Sequence, residues 1–261
     1  MLTVARLFAE IGITCATTAL GGTECDYKEA INGSAVTVLP LPYQKGGILN
    51  APMSNDEIYI GDVFAAGNGK TLFVGGGAPP DSVPFADYSN REELLIKNAV
   101  LTAEGAIDIA LRESDTSLFG ASVTVIGYGR IGSRLALLLN AFGARVTVAA
   151  RRSESRALAE ALGCIAVGFD CISDALANAD CIFNTVPYPT LSKEILSSIG
   201  DGVPLIELAS EPGGIRKGEE SYCKGKLINA PGLPGKIAPE AAGRIIFEAV
   251  TAIMRERGLL I

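Results

Sequence analysis

Residues 122–152 read SVTVIGYGRIGSRLALLLNAFGARVTVAARR, and this stretch decides the fold. An apolar run, Ser122 to Ile126, leads directly into Gly127, Gly129 and Gly132, spaced G-x-G-x-x-G. A helical pattern at 133–142 and a second strand-like run at 145–150 follow. Strand, glycine turn, helix and strand in this order form a dinucleotide-binding unit of Rossmann type. Each glycine has a physical task. Gly127 permits the tight turn, Gly129 lets the backbone approach a pyrophosphate, and Gly132 allows close helix–strand packing. The helix N-terminus adds N–H groups and a partial positive charge for the anion. Tyr128, Arg130 and Ile131 complete the turn residues expected at the cofactor.

The end of the second strand bears on cofactor choice. NAD sites usually carry an acid there to hold the ribose 2′-hydroxyl, whereas here stand Ala150, Arg151, Arg152 and Ser153. Two guanidiniums suit a 2′-phosphate. NADP is therefore expected, with NAD as the alternative; the plainer reading of both arginines is solvated surface charge.

Outward from this unit, strands are predicted at 181–186 and 204–208, with a weak one at 227–229 and an amphipathic helix at 239–257. On the other side, 91–113 is one long helical pattern with Leu94, Leu95, Asn98, Leu101, Thr102, Gly105 and Ile109 near one face. Residues 2–11 and 26–31 read as helical, and 14–19, 35–39 and 70–74 as extended. The polar segment 43–60 reads as a loop. APPDSVPFADY at 78–88 reads as a linker whose prolines disfavour regular structure. The predicted class is α/β: a Rossmann-type doubly wound parallel sheet at 116–235, and a smaller N-terminal α/β lobe at 1–90. A helix at 91–115 joins them, and a C-terminal helix at 236–261 is expected to return to the N-terminal lobe.

Composition narrows the function. The 261 residues carry a net charge of −7, which argues against non-specific nucleic-acid binding. No stretch has the length of a membrane span, and the charged residues inside the first apolar run argue against a signal peptide. Cys15, Cys25, Cys164, Cys171, Cys181 and Cys223 lack C-x-x-C spacing, so reduced, mostly buried thiols in a cytoplasmic protein are expected. Without any histidine, no metal site is expected, and acid–base chemistry by imidazole is excluded.

The blocks DYSNREELLIKNAVLTAEGAIDIAL at 87–111, VIGYGRIG at 125–132, NTVP at 184–187, ELASEPGG at 207–214 and APGLPGKIAPEAAGRII at 230–246 resemble the A-type dipicolinate synthase family of spore-forming bacteria. Weaker similarity runs through VTVLPLP at 36–42 to the N-terminus. Members of that family begin with a strand and a further glycine turn before the first helix, so the first strand of the N-terminal lobe is expected to be missing. The resemblance implies NAD(P)-dependent oxidation of a dihydro- or hydroxytetrahydro-dipicolinate to the aromatic pyridine dicarboxylate. It also implies that the partner is a flavoprotein-like B-type dipicolinate synthase chain; a homo-oligomer is expected too.

Such chemistry needs the ring carbon held against the nicotinamide and one proton accepted. Ligands of an open parallel sheet lie outside its strand carboxyl ends. Asn184, Thr185, Val186, Pro187 and Ser210 are therefore expected at the cofactor. Glu104, with Thr102 beside it on the long helix, is the leading base, its match to the family's TAEGA block adding weight; Glu211 competes. Lys236 and Arg91, with the N–H groups of Gly213, Gly214 and Gly235, are candidates for the small dicarboxylate substrate. Two other readings stay open: a different two-lobed NAD(P)-dependent dehydrogenase, or a catalytically silent dinucleotide-binding sensor or scaffold.

Overall fold

The structure is a computed structural model that describes residues 1–18 and 26–260. It divides into two compact units, one formed by residues 1–97 with 239–261 and the other by 98–238.

In the first unit, α1 (Leu2–Glu10) buries Val4, Leu7 and Phe8. Asp26 caps α2 (Tyr27–Asn32) by accepting from the N–H groups of Lys28 and Glu29, an N-cap that satisfies donors the helix leaves open. A parallel sheet follows, built from β1 (Val36–Val38) and later strands. The segment expected to be a loop holds a hairpin, β2 (Gln44–Lys45) and β3 (Ile48–Leu49), turned by Gly46 and Gly47 at φ +59° and +83°. Two successive positive φ values suit glycine, and this two-residue glycine signal is readable in the sequence. After α3 (Ile60–Ala65), the fully buried β4 (Leu72–Gly75) is the central strand, between β1 and β5 (Phe85–Asp87).

Two expectations fail here. β5 lies inside the proline-rich stretch expected to be an irregular linker. Pro84 falls just before it, where a missing N–H costs no ladder bond, and its carbonyl accepts from Phe73 N at 2.9 Å. Conversely, residues 14–18 form no strand, and Ala19 and Cys25 lie outside the described residues. The run has extended propensity but joins no sheet among the described residues, and pairing decides.

The helix α4 (Glu92–Glu113) crosses the boundary between the units. The second unit then holds the predicted β6 (Ser122–Ile126), α5 (Arg130–Ala141) and β7 (Arg145–Ala149), followed by α6 (Ser153–Ala161), β8 (Ile165–Val167), α7 (Ile172–Ala177), the predicted β9 (Cys181–Asn184), α8 (Lys193–Ser198), the predicted β10 (Pro204–Glu207) and β11 (Lys226–Asn229), and α9 (Leu233–Ile237). All six strands are parallel, in the order β11-β10-β9-β6-β7-β8. The order reverses between β6 and β9, which is where a doubly wound sheet binds its ligand. One apolar core lies against α4, α5 and α9 with Leu135, Leu139 and Phe183, and another holds Ile126, Ile182 and Leu205. Burial on both faces explains the unbroken apolar strands. The sequence reading misses β8, a three-residue edge strand whose Ile165 is 61% exposed.

The last helix, α10 (Pro239–Glu256), belongs to the first unit. Phe8 meets Phe247 edge to face at 4.8 Å, and Gly243 gives Thr3 room where a Cβ would stand 2.6 Å from the Thr3 Cβ. Among the described cysteines, Cys164 and Cys181 are buried and Cys223 half-buried. Cys15 and Cys171 are exposed, against the expectation of mostly buried thiols.

Candidate functional site

Along the carboxyl edge of the six-stranded sheet, Ala149, Ile126, Asn184, Glu207 and Asn229 stand in register. The loops leaving these strands carry most of the predicted site residues. They differ in whether their polar groups are spent within the chain.

In the glycine turn after β6, Gly127 sits at φ +93°. A Cβ there would lie 2.5 Å from Thr185 Oγ1 and 2.8 Å from Val186 Cγ2. Thr185 cannot yield easily, because its hydroxyl donates to the Ile126 carbonyl at 2.8 Å. A Cβ on Gly132 would stand 2.2 Å from the Gly127 carbonyl oxygen, so helix and turn touch backbone to backbone. Gly129 is different. It precedes the first residue of α5 with φ −89°, and among the described residues no side chain caps the helix and nothing lies within 4 Å of where its Cβ would be. The contacts call for glycine at 127 and 132 and not at 129, and among the described residues the helix N-terminus beyond has no side-chain cap.

The other turn residues divide in the same way. Arg130 is exposed, and Ile131 packs against the core. Tyr128 also packs against the core, its phenol pushed up by burial. Among the described residues its buried hydroxyl has no partner.

Beyond β7, Ala150 is buried and its N–H donates to the Val167 carbonyl at 3.0 Å. The Arg156 guanidinium donates to the carbonyls of Ala150 at 3.0 Å and Arg151 at 2.8 Å, fixing this loop from below. Arg151 and Arg152 are exposed, and neither has an ion-pair partner among the described residues. A cavity of about 600 Å³ is lined by Arg151, Arg156, Phe169, Asp170 and Cys171. The Ser153 hydroxyl is engaged with Glu154 at 3.4 Å.

Across the switch point the loops are cross-tied by a residue the sequence reading misses, Glu207. Its buried carboxylate accepts from Asn184 Nδ2 at 2.8 and 2.9 Å, from Ala209 N at 2.9 Å and from Gly214 N at 3.0 Å. The available signal is an acid inside an otherwise apolar strand, which needs partners when buried. Asn184, expected at the cofactor, is fully buried; besides Glu207, it donates to the Val186 carbonyl at 3.1 Å and accepts from Val186 N at 3.2 Å. Gly214 N is spent on Glu207, and Gly213 N on the Ser210 carbonyl at 2.9 Å. The expectation that these two amides await a substrate is corrected accordingly. Pro187, Ser210 and Glu211 are exposed, Glu211 preceding a cis proline, Pro212.

The pairing of Thr102 with Glu104 is also corrected. Two residues on a helix lie about 200° apart around it. Thr102 is buried with its hydroxyl donating to the Asn98 carbonyl at 2.8 Å, while Glu104 is exposed. On the next turn position, Gly105 receives α9: a Cβ there would lie 3.0 Å from Ile237 Cδ1 and 3.2 Å from Leu233 Cβ. That seat sets Gly235 and Lys236, both exposed, on an element packed against the helix of Glu104. Arg91 belongs to the other unit and is taken up by carboxylates: it donates to Glu256 at 2.7 and 3.0 Å and to Glu93 at 2.5 Å.

Residues 99–209 match the family model described as D-isomer specific 2-hydroxyacid dehydrogenase, NAD binding domain. The dipicolinate synthase A chain of Bacillus subtilis is 34% identical over 168 residues, 64% of this chain and 56% of the relative. The matched segment thus spans little more than half of that curated protein. The crystal structure of the Bacillus subtilis A chain superposes with a TM-score of 0.85 at 26% identity, covering 98% of this chain and 92% of the other. That of the Bacillus halodurans counterpart gives 0.87 at 24% identity, covering 97% and 93%, and shows the shared fold. The chain is a homologue of A-type dipicolinate synthase with an NAD-binding domain of dehydrogenase type.

Proposed function

From this homology, we propose that the chain is an NAD(P)-dependent oxidoreductase that oxidises a dihydrodipicolinate, or a hydroxytetrahydro-dipicolinate once it has lost water, to dipicolinate. The observation that carries the reading is Gly129, a glycine that packing among the described residues does not require, at a helix N-terminus with no side-chain cap among them. Backbone open on that side suits a pyrophosphate. Arg151 and Arg152, exposed and without ion pairs, favour NADP over NAD; Asp170 is the acid that lines the neighbouring cavity.

A bound nicotinamide supplies the hydride acceptor. What remains for this chain is to orient the ring and accept one proton, with aromatisation driving the step. Glu104 and Glu211 are the carboxylates proposed for the proton. Both are exposed, and neither forms an ion pair among the described residues. Lys236, unpaired in the same sense, is the proposed cation for a substrate carboxylate. The reading extends to a cytoplasmic setting and to a B-type partner chain; among the described residues, no helix is long and apolar enough to cross a membrane.

The test follows pyridine dicarboxylate absorbance with NADP+ or NAD+ for the unmodified protein, Glu104→Gln and Glu211→Gln. Turnover in the unmodified protein, reduced roughly a hundredfold in one variant, is expected. Cofactor binding without turnover on either substrate would replace the enzyme by a dinucleotide sensor.

A further inference from the structure

Glu207 has no part in the proton transfer just described, yet its surroundings are unusual for a carboxylate. Four donor contacts converge on its two oxygens, and among the described residues no Lys or Arg lies within salt-bridge distance. Every contact is an N–H reaching an acceptor, the pattern of a carboxylate anion rather than of an acid that must also donate. Buried carboxylates are normally balanced by a cation. This one is held by amides alone, so its negative charge is fixed in position and not cancelled by a neighbouring cation.

Its place in the sheet gives that charge a direction. The end of β7 marks the adenosine half of a dinucleotide site, and the glycine turn after β6 marks the pyrophosphate. The remaining half falls over the carboxyl ends of β9 and β10, where Asn184 and Glu207 stand in register. Glu207 is two strands from Ile126, about 10 Å across the sheet. The nicotinamide ring carries a positive charge when oxidised and none when reduced. The phosphates are the same in both forms, so whatever a charge beneath the ring does to them cancels from the ratio of the two affinities, and the ratio reports its effect on the ring.

We infer that Glu207 is a fixed counter-charge that makes the site favour the oxidised over the reduced nicotinamide, a positioning residue for the cofactor rather than a proton carrier. Asn184, Ala209 and Gly214 hold the carboxylate in place, and the NTVP and ELASEPGG loops are tied together by the same bonds. The direction suits an enzyme that consumes oxidised cofactor and must release the reduced form. This inference rests on the dinucleotide-binding reading.

The test measures dissociation constants of NADP+, NADPH, NAD+ and NADH by calorimetry for the unmodified protein, Glu207→Gln and Glu207→Asp. The unmodified protein is expected to bind the oxidised form of its preferred cofactor more tightly. The reduced-to-oxidised ratio of dissociation constants should fall by about tenfold in Glu207→Gln and stay within about threefold in Glu207→Asp, which keeps the charge. A ratio unchanged in Glu207→Gln, with both forms still bound, overturns the inference and leaves the dinucleotide reading standing. Should Glu207→Gln fail to fold, the unmodified protein decides: a ratio of one or less overturns the inference. If the unmodified protein binds neither form, both readings fall together.

Discussion

Two glycine-containing loops leave the carboxyl edge of the same sheet, one after β6 and one after β10, and they are built to opposite ends. The first keeps Gly129 facing open space at the bare N-terminus of α5. The second turns its glycines inward: a Cβ on Gly213 would lie 3.5 Å from Glu207 Oε2, and one on Gly214 would lie 2.4 Å from Asn184 Nδ2. In sequence both loops read as anion-binding backbone. The difference teaches that a glycine loop offers its amides to a ligand only where no buried acceptor of its own has claimed them, since an unclaimed buried N–H is costly and a claimed one is already spent.

The sharpest way to break this comparison is Gly129→Val. Its φ of −89° is open to any residue and no atom opposes the new side chain, so the melting temperature should hold. Cofactor affinity should drop by about a hundredfold or more, roughly 2.7 kcal/mol, because only the ligand's approach is blocked. Calorimetry beside thermal melting reads both. Normal binding would make the first loop as purely structural as the second.

Gly214→Ala is the reverse case. The added methyl meets the Asn184 amide, itself locked to Glu207, and should cost about 2 kcal/mol of stability in urea unfolding. A cost near zero would mean that the cross-tie gives way freely, and the contrast between the loops would shrink.

How far the sequence foretells this varies with the range of the interaction. The strand–turn–helix–strand order and the long helix are legible because local periodicity and glycine spacing carry them. The strand β5 is not: a proline-rich stretch becomes a strand through pairing with Phe73 and Val74, which no local pattern records. At the site, the spacing of Gly127, Gly129 and Gly132 already assigns turn, ligand approach and packing to the three glycines, and the contacts a Cβ would meet at 127 and 132, with none at 129 among the described residues, match that division. Glu207 escapes a reading that favours the exposed Glu211, because burial inside β10 depends on neighbours from β9. Nearness in sequence groups Thr102 with Glu104, although a helix turns them to opposite faces.

A smaller effect should come from the arginines beyond β7. Arg151→Ala combined with Arg152→Ala removes two exposed cations that form no ion pair among the described residues, so folding should be indifferent. The preference for NADP over NAD should fall by roughly tenfold, about 1.4 kcal/mol, as expected for loss of charge-assisted contacts to one phosphate. Titration of both cofactors checks it. Equal affinities in the unmodified protein would remove NADP as the partner and leave the pyrophosphate loop untouched.

The smallest change sharpens the comparison at a third glycine. Gly235 lies within α9, where nothing is within 4 Å of its missing Cβ, so it shares the openness of Gly129 without standing at the start of the glycine turn's helix. If openness alone marked a ligand-facing glycine, Gly235→Ala would weaken substrate binding. If openness matters only at the glycine turn after β6, the substitution should do what alanine does at any exposed helical position: restrict the unfolded chain and add about 0.5–1 kcal/mol of stability. The second outcome is expected, because a methyl on 235 meets no atom among the described residues and leaves its exposed neighbour Lys236 unobstructed. Urea unfolding should show the gain while KM for the dicarboxylate stays within about twofold. A several-fold rise in KM would place the substrate against the α9 backbone itself, and would extend the mark of a ligand from the glycine turn after β6 to this second open glycine.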